Sequence, residues 1–419
     1  MNLVSADKKH IVIVGAGFGG LTATLCLGRR YGHWLATQRY DIILIDRHHH
    51  QLFTPALYEI AAIPSEYAED HSLIHAPLIS IHAIIKKTPI KFIRDELVSL
   101  DAAQRTVTLR DQGQLKFEYL VLALGSETNF FNIPGLREHA FTLKTSDDAV
   151  RLRNKVEDAI RPDTPHLKII VGGAGTTGVE LAAELINFIS ALQTRDRERA
   201  LCNVEIMLVE AAPEILPGFD SWITHRAERR LRRLGVKIKT NAAITHVEPP
   251  QLLLKDGARE SFDILIWTGG VKGPAVLSAT ALPISAKGTL LVDEYLSLPH
   301  TPAIKAIGDN AAFADPRTTL LLPWNIPIAE HEARYIAHEL IREILGKSKR
   351  PFRSLKKYAF VLAMGKKCAI ADLVFIRFSG FVGWLAKIAI ELRYFVSILP
   401  LPAALKIWKK TVGLYTSND

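Results

Sequence analysis

A chain of 419 residues has room for two to three domains of about 150 residues each, and for a sizeable core. Its hydrophobic content of 48% and charged content of 23% are ordinary for a globular protein. The net charge of +9 favours acidic partners without choosing between anionic lipid and nucleic acid. Three widely separated cysteines, Cys26, Cys202 and Cys368, form no CxxC pair, which argues against a disulfide framework and a local redox dithiol.

The opening MNLVSADKKHIVIV passes straight into a strand pattern. Its apolar run is too short for a secretory leader, so the bulk of the chain is expected in the cytoplasm. The run HIVIV is followed by GAGFGG and then by a helical apolar pattern, which places GxGxxG in the strand–turn–helix setting it requires. Gly15 permits the tight turn, Gly17 lets a pyrophosphate approach the backbone, and Gly20 lets helix and strand pack closely. Phe18 and Gly19 complete the loop, and the phosphates would meet the free N–H groups of the helix. The next strand, YDIILIDRH, ends in Asp46 and Arg47, where a carboxylate can accept both ribose hydroxyls. The spacing from Gly20 exceeds the usual ~20 residues, and YGHWLATQRYD reads as inserted material. Three histidines, His48, His49 and His50, come next. No second His/Cys/Asp cluster with ligand spacing accompanies them, so no metal is expected and solvated surface is their expected role.

Further along, YLVLALGSETNFFNIPG is a strand ending in small residues and Gly125, where backbone can approach a cofactor. The proline-bearing RPDTPHLK, residues 161–168, fits a domain boundary. Then the fingerprint recurs. HLKIIVGGAGTTGVELAAELINF again reads as strand, Gly173-x-Gly175-x-x-Gly178, helix, and the following strand NVEIMLVEAAP ends in Glu210. Two glycine turns with the same context, each followed by a strand ending in an acid, are no coincidence of composition. Glu210 would repel a ribose 2′-phosphate, so the second site is expected to prefer NADH to NADPH. Two sites imply two nucleotides, with FAD expected at the first. Gly269 and Gly270 follow the strand FDILIW and would let a nicotinamide approach. The strand TPAIKAIGDNA ends in Gly308-Asp309, where the carboxylate either receives a ribityl hydroxyl, sits near a pyrophosphate, or only forms a turn.

Together these motifs resemble the flavoproteins with two dinucleotide-binding domains of the glutathione-reductase class. More closely, they resemble the type II NADH dehydrogenases, the single-subunit NADH:quinone oxidoreductases of respiratory membranes. The resemblance is carried by GAGFGG at 15–20, HHHQLFTPALYEIA at 48–61, LALGSETNFFNIPG at 122–135, GGAGTTGVELAAEL at 172–185, WTGG at 267–270 and AIGDNA at 306–311. It covers roughly residues 8–345, and the C-terminus more loosely. It implies an α/β fold of two Rossmann-like dinucleotide-binding domains plus a C-terminal amphipathic helical membrane-facing segment. Residues 1–160 and 286–345 would form the FAD domain, residues 165–285 an inserted NADH domain, and residues 350–419 the membrane-association region. The implied reaction is hydride transfer from NADH to FAD, then two-electron reduction of a membrane quinone without proton pumping.

The resemblance also suggests roles for single residues. Thr177 lies within the second glycine loop, at the nucleotide, and Glu180 follows it; Glu180 would stand close to the nicotinamide–flavin stack, or would merely favour the helix dipole. Pro55 and its neighbours would line the flavin. The chain departs from the family at the quinone side, because Pro327 and His331 occupy the places of two glutamines, with Glu332 adjacent. His331 can hydrogen-bond a quinone carbonyl or shuttle a proton, with Glu332 as relay, or it can be an ordinary helix histidine. Lys366, on a glycine-led turn with Lys367, either faces a quinone or lipid headgroup or is plain surface charge. The lost glutamines keep open a flavin reductase of a non-quinone or protein acceptor, and a redox-sensing NADH-binding flavoprotein. Cys368 raises a sulfide:quinone or disulfide reductase, but that chemistry needs two cysteines or one directly against the flavin; the helix after either fingerprint offers only Cys26, which reads as a core residue.

The C-terminal stretch FSGFVGWLAKIAIELRYFVSILP is almost as apolar as a span, yet Lys387, Glu391 and Arg393 fall in its middle. Its longest charge-free run is interrupted by Pro400 and Pro402, so a crossing helix is not expected. Gly383, Lys387, Glu391 and Tyr394 share one stripe, expected to stay in water, while Arg393 would snorkel or pair. In the next helix Lys406, Lys409 and Lys410 lie on one face and Leu405, Trp408, Val412 and Tyr415 on another. Six basic residues against Glu391 and Asp419 make residues 377–419 net +4. The pattern suits helices lying on an anionic lipid surface at the cytoplasmic face of the inner membrane. A buried helix pair or a homodimer interface is the alternative. No nucleic-acid partner is expected.

Overall fold

The computed structural model describes residues 7–68, 75–196 and 201–416; Asp419 and the side chain of Tyr415 lie outside the described residues. In chain order the elements used below are β1 (Lys9–Val14), α1 (Phe18–Thr37), β2 (Tyr40–Asp46), β3 (Ile90–Arg94), β4 (Tyr119–Leu122), β5 (His166–Gly172), α2 (Thr176–Arg195), β6 (Asn203–Val209), α3 (Ser221–Arg233), β7 (Ile264–Trp267), β8 (Thr301–Ala306) and α4 (Ile326–Ile344). The C-terminal part adds β9 (Phe360–Ala363), β10 (Ala369–Asp372), β11 (Arg377–Gly380), α5 (Phe381–Ile398) and α6 (Leu401–Thr416). The chain alternates between two compact units. One is built from residues 1–51, 78–127 and 271–358, the other from 52–77, 128–270 and 359–419.

The first unit is organised on a sheet in the order Ser297–Leu298, β8, β4, β1, β2, β3, parallel throughout except for the antiparallel edge pair. Five of the six residues of β1 are buried. A parallel strand covered on both faces needs such an unbroken β-branched run. Val12, Val14, Ile43, Ile45, Leu120 and Leu122 form the centre of this core. The second unit repeats the plan in the order Ala140–Thr142, β7, β5, β6, Lys237–Lys239, all parallel. In each unit the fingerprint strand is central. The last residue of β1, Val14, registers with Ile45 and Leu122, and the last of β5, Gly172, with Val209 and Trp267. This leaves the fingerprint loop at the carboxyl ends of the strands, where such sheets bind ligands.

The C-terminal part of the second unit is an antiparallel sheet, β9–β10–β11, followed by α5 and α6. Here one expectation is overturned. Lys387 and Glu391 do not face water: they are 7% and 5% exposed, and the stripe Gly383–Lys387–Glu391–Tyr394 is the buried face of α5. The outward face carries Phe381, Val382, Leu385 and Val396, each 42–56% exposed. Two features turn the helix this way. Gly383 lies so close to β10 that a Cβ there would sit 2.1 Å from the Ala369 carbonyl oxygen. The charged stripe also finds partners inside, since Lys387 lies 3.6 Å from Glu59 and 3.2 Å from Glu391. Arg393 is exposed. No helix among the described residues is long and apolar enough to cross a membrane.

Candidate functional site

The two glycine loops have the same geometry. Gly15 and Gly173 take φ values of +103° and +99°, which disfavour any side chain. A Cβ on Gly15 would lie 2.2 Å from the Ala123 oxygen, and one on Gly173 would lie 2.4 Å from the Gly269 Cα. Gly20 and Gly178 close the turns: a Cβ on either would fall within 2.0 Å of the carbonyl oxygen of Gly15 or Gly173. The middle glycines are different, with nothing within 4 Å of a Cβ placed on Gly17 or Gly175. These open positions are also the N-caps of α1 and α2, and neither helix has a side-chain cap. By contrast, α3 and α4 are capped by Asp220 and Asn325. Uncapped N–H groups facing open space are what a pyrophosphate requires.

The terminal acids also match. Asp46 accepts from the Ala16 N–H at 2.7 Å and the His48 N–H at 2.8 Å. Glu210 accepts from Ala174 at 2.6 Å and Ala212 at 2.8 Å. Each carboxylate therefore ties the end of the second strand to its glycine loop. Burial pushes the Asp46 carboxyl up, but the bonds from His48 and the Ala16 N–H leave it below the usual range. Arg47 is exposed, with Glu96 at 3.9 Å. His48 and His49 are exposed and His50 is half-buried.

The rest of the first cradle comes from neighbouring strand ends. Gly125 is left-handed, at φ +71°, with open space where a Cβ would stand. Asp309 accepts from the Ser126 hydroxyl at 2.8 Å, and Asn310 donates to the Leu122 carbonyl at 3.1 Å. The Asn310 Oδ1 is a buried acceptor with no hydrogen-bond partner among the described residues. Gly19 packs against Ile307, and Phe18 is half-buried. Open glycine faces, uncapped helices and an orphaned acceptor fit a dinucleotide. In the second unit, Gly269 and Gly270 lie against the rings of Trp267 and Phe131, and Thr177 is exposed on the first turn of α2. Pro55, in the 3-10 turn Thr54–Ala56, also packs with this unit.

Glu180 is half-buried, and its Oε1 accepts from the Ala363 N–H at 3.1 Å. Burial pushes its carboxyl up to about 7, against the lowering effect of that N–H and of Lys387. Glu59 is pushed well above the ordinary range by burial and by Glu184, with Lys387 opposing. Glu59, Glu180, Glu184, Lys387 and Glu391 thus form one acid–lysine cluster inside the second unit. Sequence reasoning missed Glu59 and Glu184. The available signal was an acid inside the apolar run LFTPALYEIAAI.

Of the quinone-side candidates, Pro327, His331 and Glu332 lie on α4 of the first unit. Pro327 opens α4. His331, one turn further on, is half-buried, with its Nδ1 3.0 Å from the Tyr358 hydroxyl and its ring against Phe352. Burial and then Arg334 push its pKa down. Glu332 is buried and accepts from the Gly308 N–H at 2.6 Å. Burial and the nearby Asp309 raise it to about 8, so it belongs to the Gly308–Asp309 loop. Lys366 is exposed in the second unit, on the turn opened by Gly365. Cys26 is half-buried among Arg29, Arg30, Arg334 and Glu330 rather than in the core, because it lies on the side of α1 that meets α4.

The sequence profile of the pyridine nucleotide-disulphide oxidoreductase family matches residues 9–333. Among curated proteins, the chain is 28% identical over 395 residues to the demethylphylloquinone reductase NdbB of Synechocystis sp., covering 93% of this chain and 92% of that one. It is 27% identical over 428 aligned positions to the type II NADH:quinone oxidoreductase Ndh of Mycobacterium tuberculosis, covering 96% and 88%. Among solved structures it resembles NDH2 from Plasmodium falciparum in complex with NADH, with a TM-score of 0.80 at 18% identity over 97% of this chain and 98% of that one. It also resembles the sulfide:quinone oxidoreductase of Aquifex aeolicus, with a TM-score of 0.76 at 20% identity over 97% and 92%. At these identities the structural likeness speaks to the fold.

Proposed function

The chain belongs to the pyridine nucleotide-disulphide oxidoreductase family, and on that premise we propose that it is an FAD-dependent NADH:quinone oxidoreductase held at a membrane surface. The observation that carries this reading is the duplicated dinucleotide cradle, whose open glycine, uncapped helix and strand-end carboxylate recur in both units. Quinone as the acceptor is carried over from the names of the two curated relatives. The overall reaction converts NADH, a proton and a quinone to NAD⁺ and a quinol.

FAD, when bound, supplies the two-electron chemistry between NADH and quinone. Gly15, Gly17, Phe18, Gly19, Gly20, Asp46 and Arg47 would hold its adenosine and pyrophosphate, with Gly125, Asp309 and Pro55 toward the flavin. NADH would occupy Gly173, Gly175, Thr177 and Gly178, with Glu210 excluding a 2′-phosphate and Gly269 and Gly270 leaving room for the nicotinamide. Glu180, whose carboxyl burial pushes up to about 7, suits the donor or acceptor of a transferred proton. His331, whose Nδ1 lies 3.0 Å from the Tyr358 hydroxyl, would hydrogen-bond a quinone carbonyl; Pro327, Glu332 and Lys366 are the other quinone-side candidates.

The outward apolar face of α5 and the lysines of α6 suit a peripheral attachment to the cytoplasmic face of the membrane. The purified protein is expected to carry flavin absorbance and to oxidise NADH with a water-soluble quinone analogue, with NADPH at least about tenfold poorer. Flavin bleached by NADH without quinone-dependent turnover would refute quinone reduction. Replacing Phe381, Val382 and Leu385 by serine should release the protein from vesicles; undiminished binding would refute attachment through α5.

A further inference from the structure

None of the cradle residues described above is an arginine of α3. The helix reads SWITHRAERRLRR. Its only acid, Glu228, pairs with Arg232 at 2.8 Å, while Arg226, Arg229 and Arg233 are exposed. Cations in a last helical turn favour the helix dipole, but that does not account for Arg226 and Arg229, which stand further back. Trp222, Arg226, Arg229 and Arg233 follow one another at spacings of four, three and four, so they share one face.

That face borders the C-terminal sheet. Arg230 donates to the Met364 and Gly365 carbonyls at 3.2 and 3.3 Å, beside the exposed Lys366 and Lys367. Arg377, at the start of β11, pairs with the α3 cap Asp220 at 2.8 Å and lies 5.8 Å from the Trp222 ring, which Arg226 covers at 4.1 Å. Immediately before Arg377 is the β10–β11 turn. Leu373 closes it with a bond to Ile376, and Val374 is forced to φ +77°, an outlier for a β-branched residue. The turn holds Phe375 95% exposed and Ile376 63% exposed. A strained turn that projects two large apolar side chains, rimmed by arginines and lysines, is unfavourable in water. It is well matched to a bilayer interface, where apolar tips enter the acyl boundary and cations meet headgroup phosphates.

We infer that the arginine face of α3 and the Phe375–Ile376 tip form a second lipid-binding surface, which selects anionic bilayers and acts together with the apolar face of α5. The inference rests on the membrane-bound reading above and gives α3, in the nucleotide-binding part of the second unit, a share in docking. The apolar residues supply insertion, and the arginines supply preference for anionic headgroups. The preference therefore weakens as salt rises.

The test uses the full flavin-loaded chain with vesicles of phosphatidylcholine alone and of phosphatidylcholine mixed with phosphatidylglycerol. The triple variant Arg226→Gln, Arg229→Gln, Arg233→Gln should lose about fivefold in affinity for anionic vesicles per arginine, or about 100-fold in all. It should bind neutral vesicles and oxidise NADH with a soluble quinone as the parent does. Phe375→Ser with Ile376→Ser should weaken binding to both vesicle types. A triple variant that keeps the parent's anionic preference, or a parent with none, overturns the inference while leaving attachment through α5 intact. A parent that binds neither vesicle overturns both.

Discussion

Replacing Lys387 by methionine tests which way α5 faces. Methionine keeps the apolar stem and removes the charge that sits 3.6 Å from Glu59 and 3.2 Å from Glu391. If the stripe faced water, the loss would be that of an exposed pair, about 0–1 kcal/mol. In the buried arrangement, Glu59 and Glu391 lose the Lys387 charge beside them, and breaking such a pair costs about 3–5 kcal/mol while the acids are ionised. The cost depends on pH in a defined direction. Lys387 lowers the pKa of both Glu59 and Glu180, so its removal raises acids that already lie high. A carboxyl raised in the folded state contributes stability that is fully present below its unfolded pKa, near 4.5, and is lost as pH rises through the folded value, about 7 for Glu180. The variant should therefore lose about 1 kcal/mol or less at pH 5, where the acids take up protons, and about 3–5 kcal/mol at pH 8. Urea unfolding followed by far-UV circular dichroism at the two pH values measures this. A loss below about 1 kcal/mol at both would refute the buried charged stripe.

Gly173→Ala places a methyl group 2.4 Å from the Gly269 Cα at a φ of +99°, so NADH binding should weaken at least about tenfold, by a backbone strain of about 1–2 kcal/mol or more. Titration with NADH checks it, and retained flavin absorbance is expected because the first cradle is built from a separate unit. Glu210→Gln should narrow the preference for NADH over NADPH by about tenfold, since a carboxylate no longer opposes the 2′-phosphate; the ratio of kcat/KM for the two nucleotides measures it, and an unchanged ratio would remove Glu210 from the site. Glu180→Gln should abolish an inflection near pH 7 in the rate of NADH oxidation. It should also stabilise the protein at pH 8 by about 1–3 kcal/mol, while changing little at pH 4.5, because the ionised form it replaces is the unfavourable one.

Much of the nucleotide-binding architecture was legible in the residues because its signals are local. A β-branched run, three glycines at fixed spacing and an acid at the end of the next strand each act within one strand–turn–helix unit. In both copies the structure places Gly15 and Gly173, and Asp46 and Glu210, in equivalent positions. Spacing also located the stripe Gly383–Lys387–Glu391–Tyr394, because helical periodicity depends on the helix alone. What spacing leaves undecided is the side on which solvent lies. An apolar face and a charged face make the same pattern whichever is buried, and only distant residues break the tie. Here those are Ala369, whose carbonyl meets Gly383, and Glu59, which pairs with Lys387 from more than three hundred residues upstream. The same holds for Glu180, whose partner Ala363 lies far along the chain, and for His331, held by Tyr358. The sequence by itself determined where the two glycine turns and their uncapped helix ends lie, because that depends on backbone freedom and on short-range spacing. Only the tertiary structure decided that the charges of α5 point inward and its apolar residues outward, because the burial of a charge depends on the counter-charge the fold brings to it.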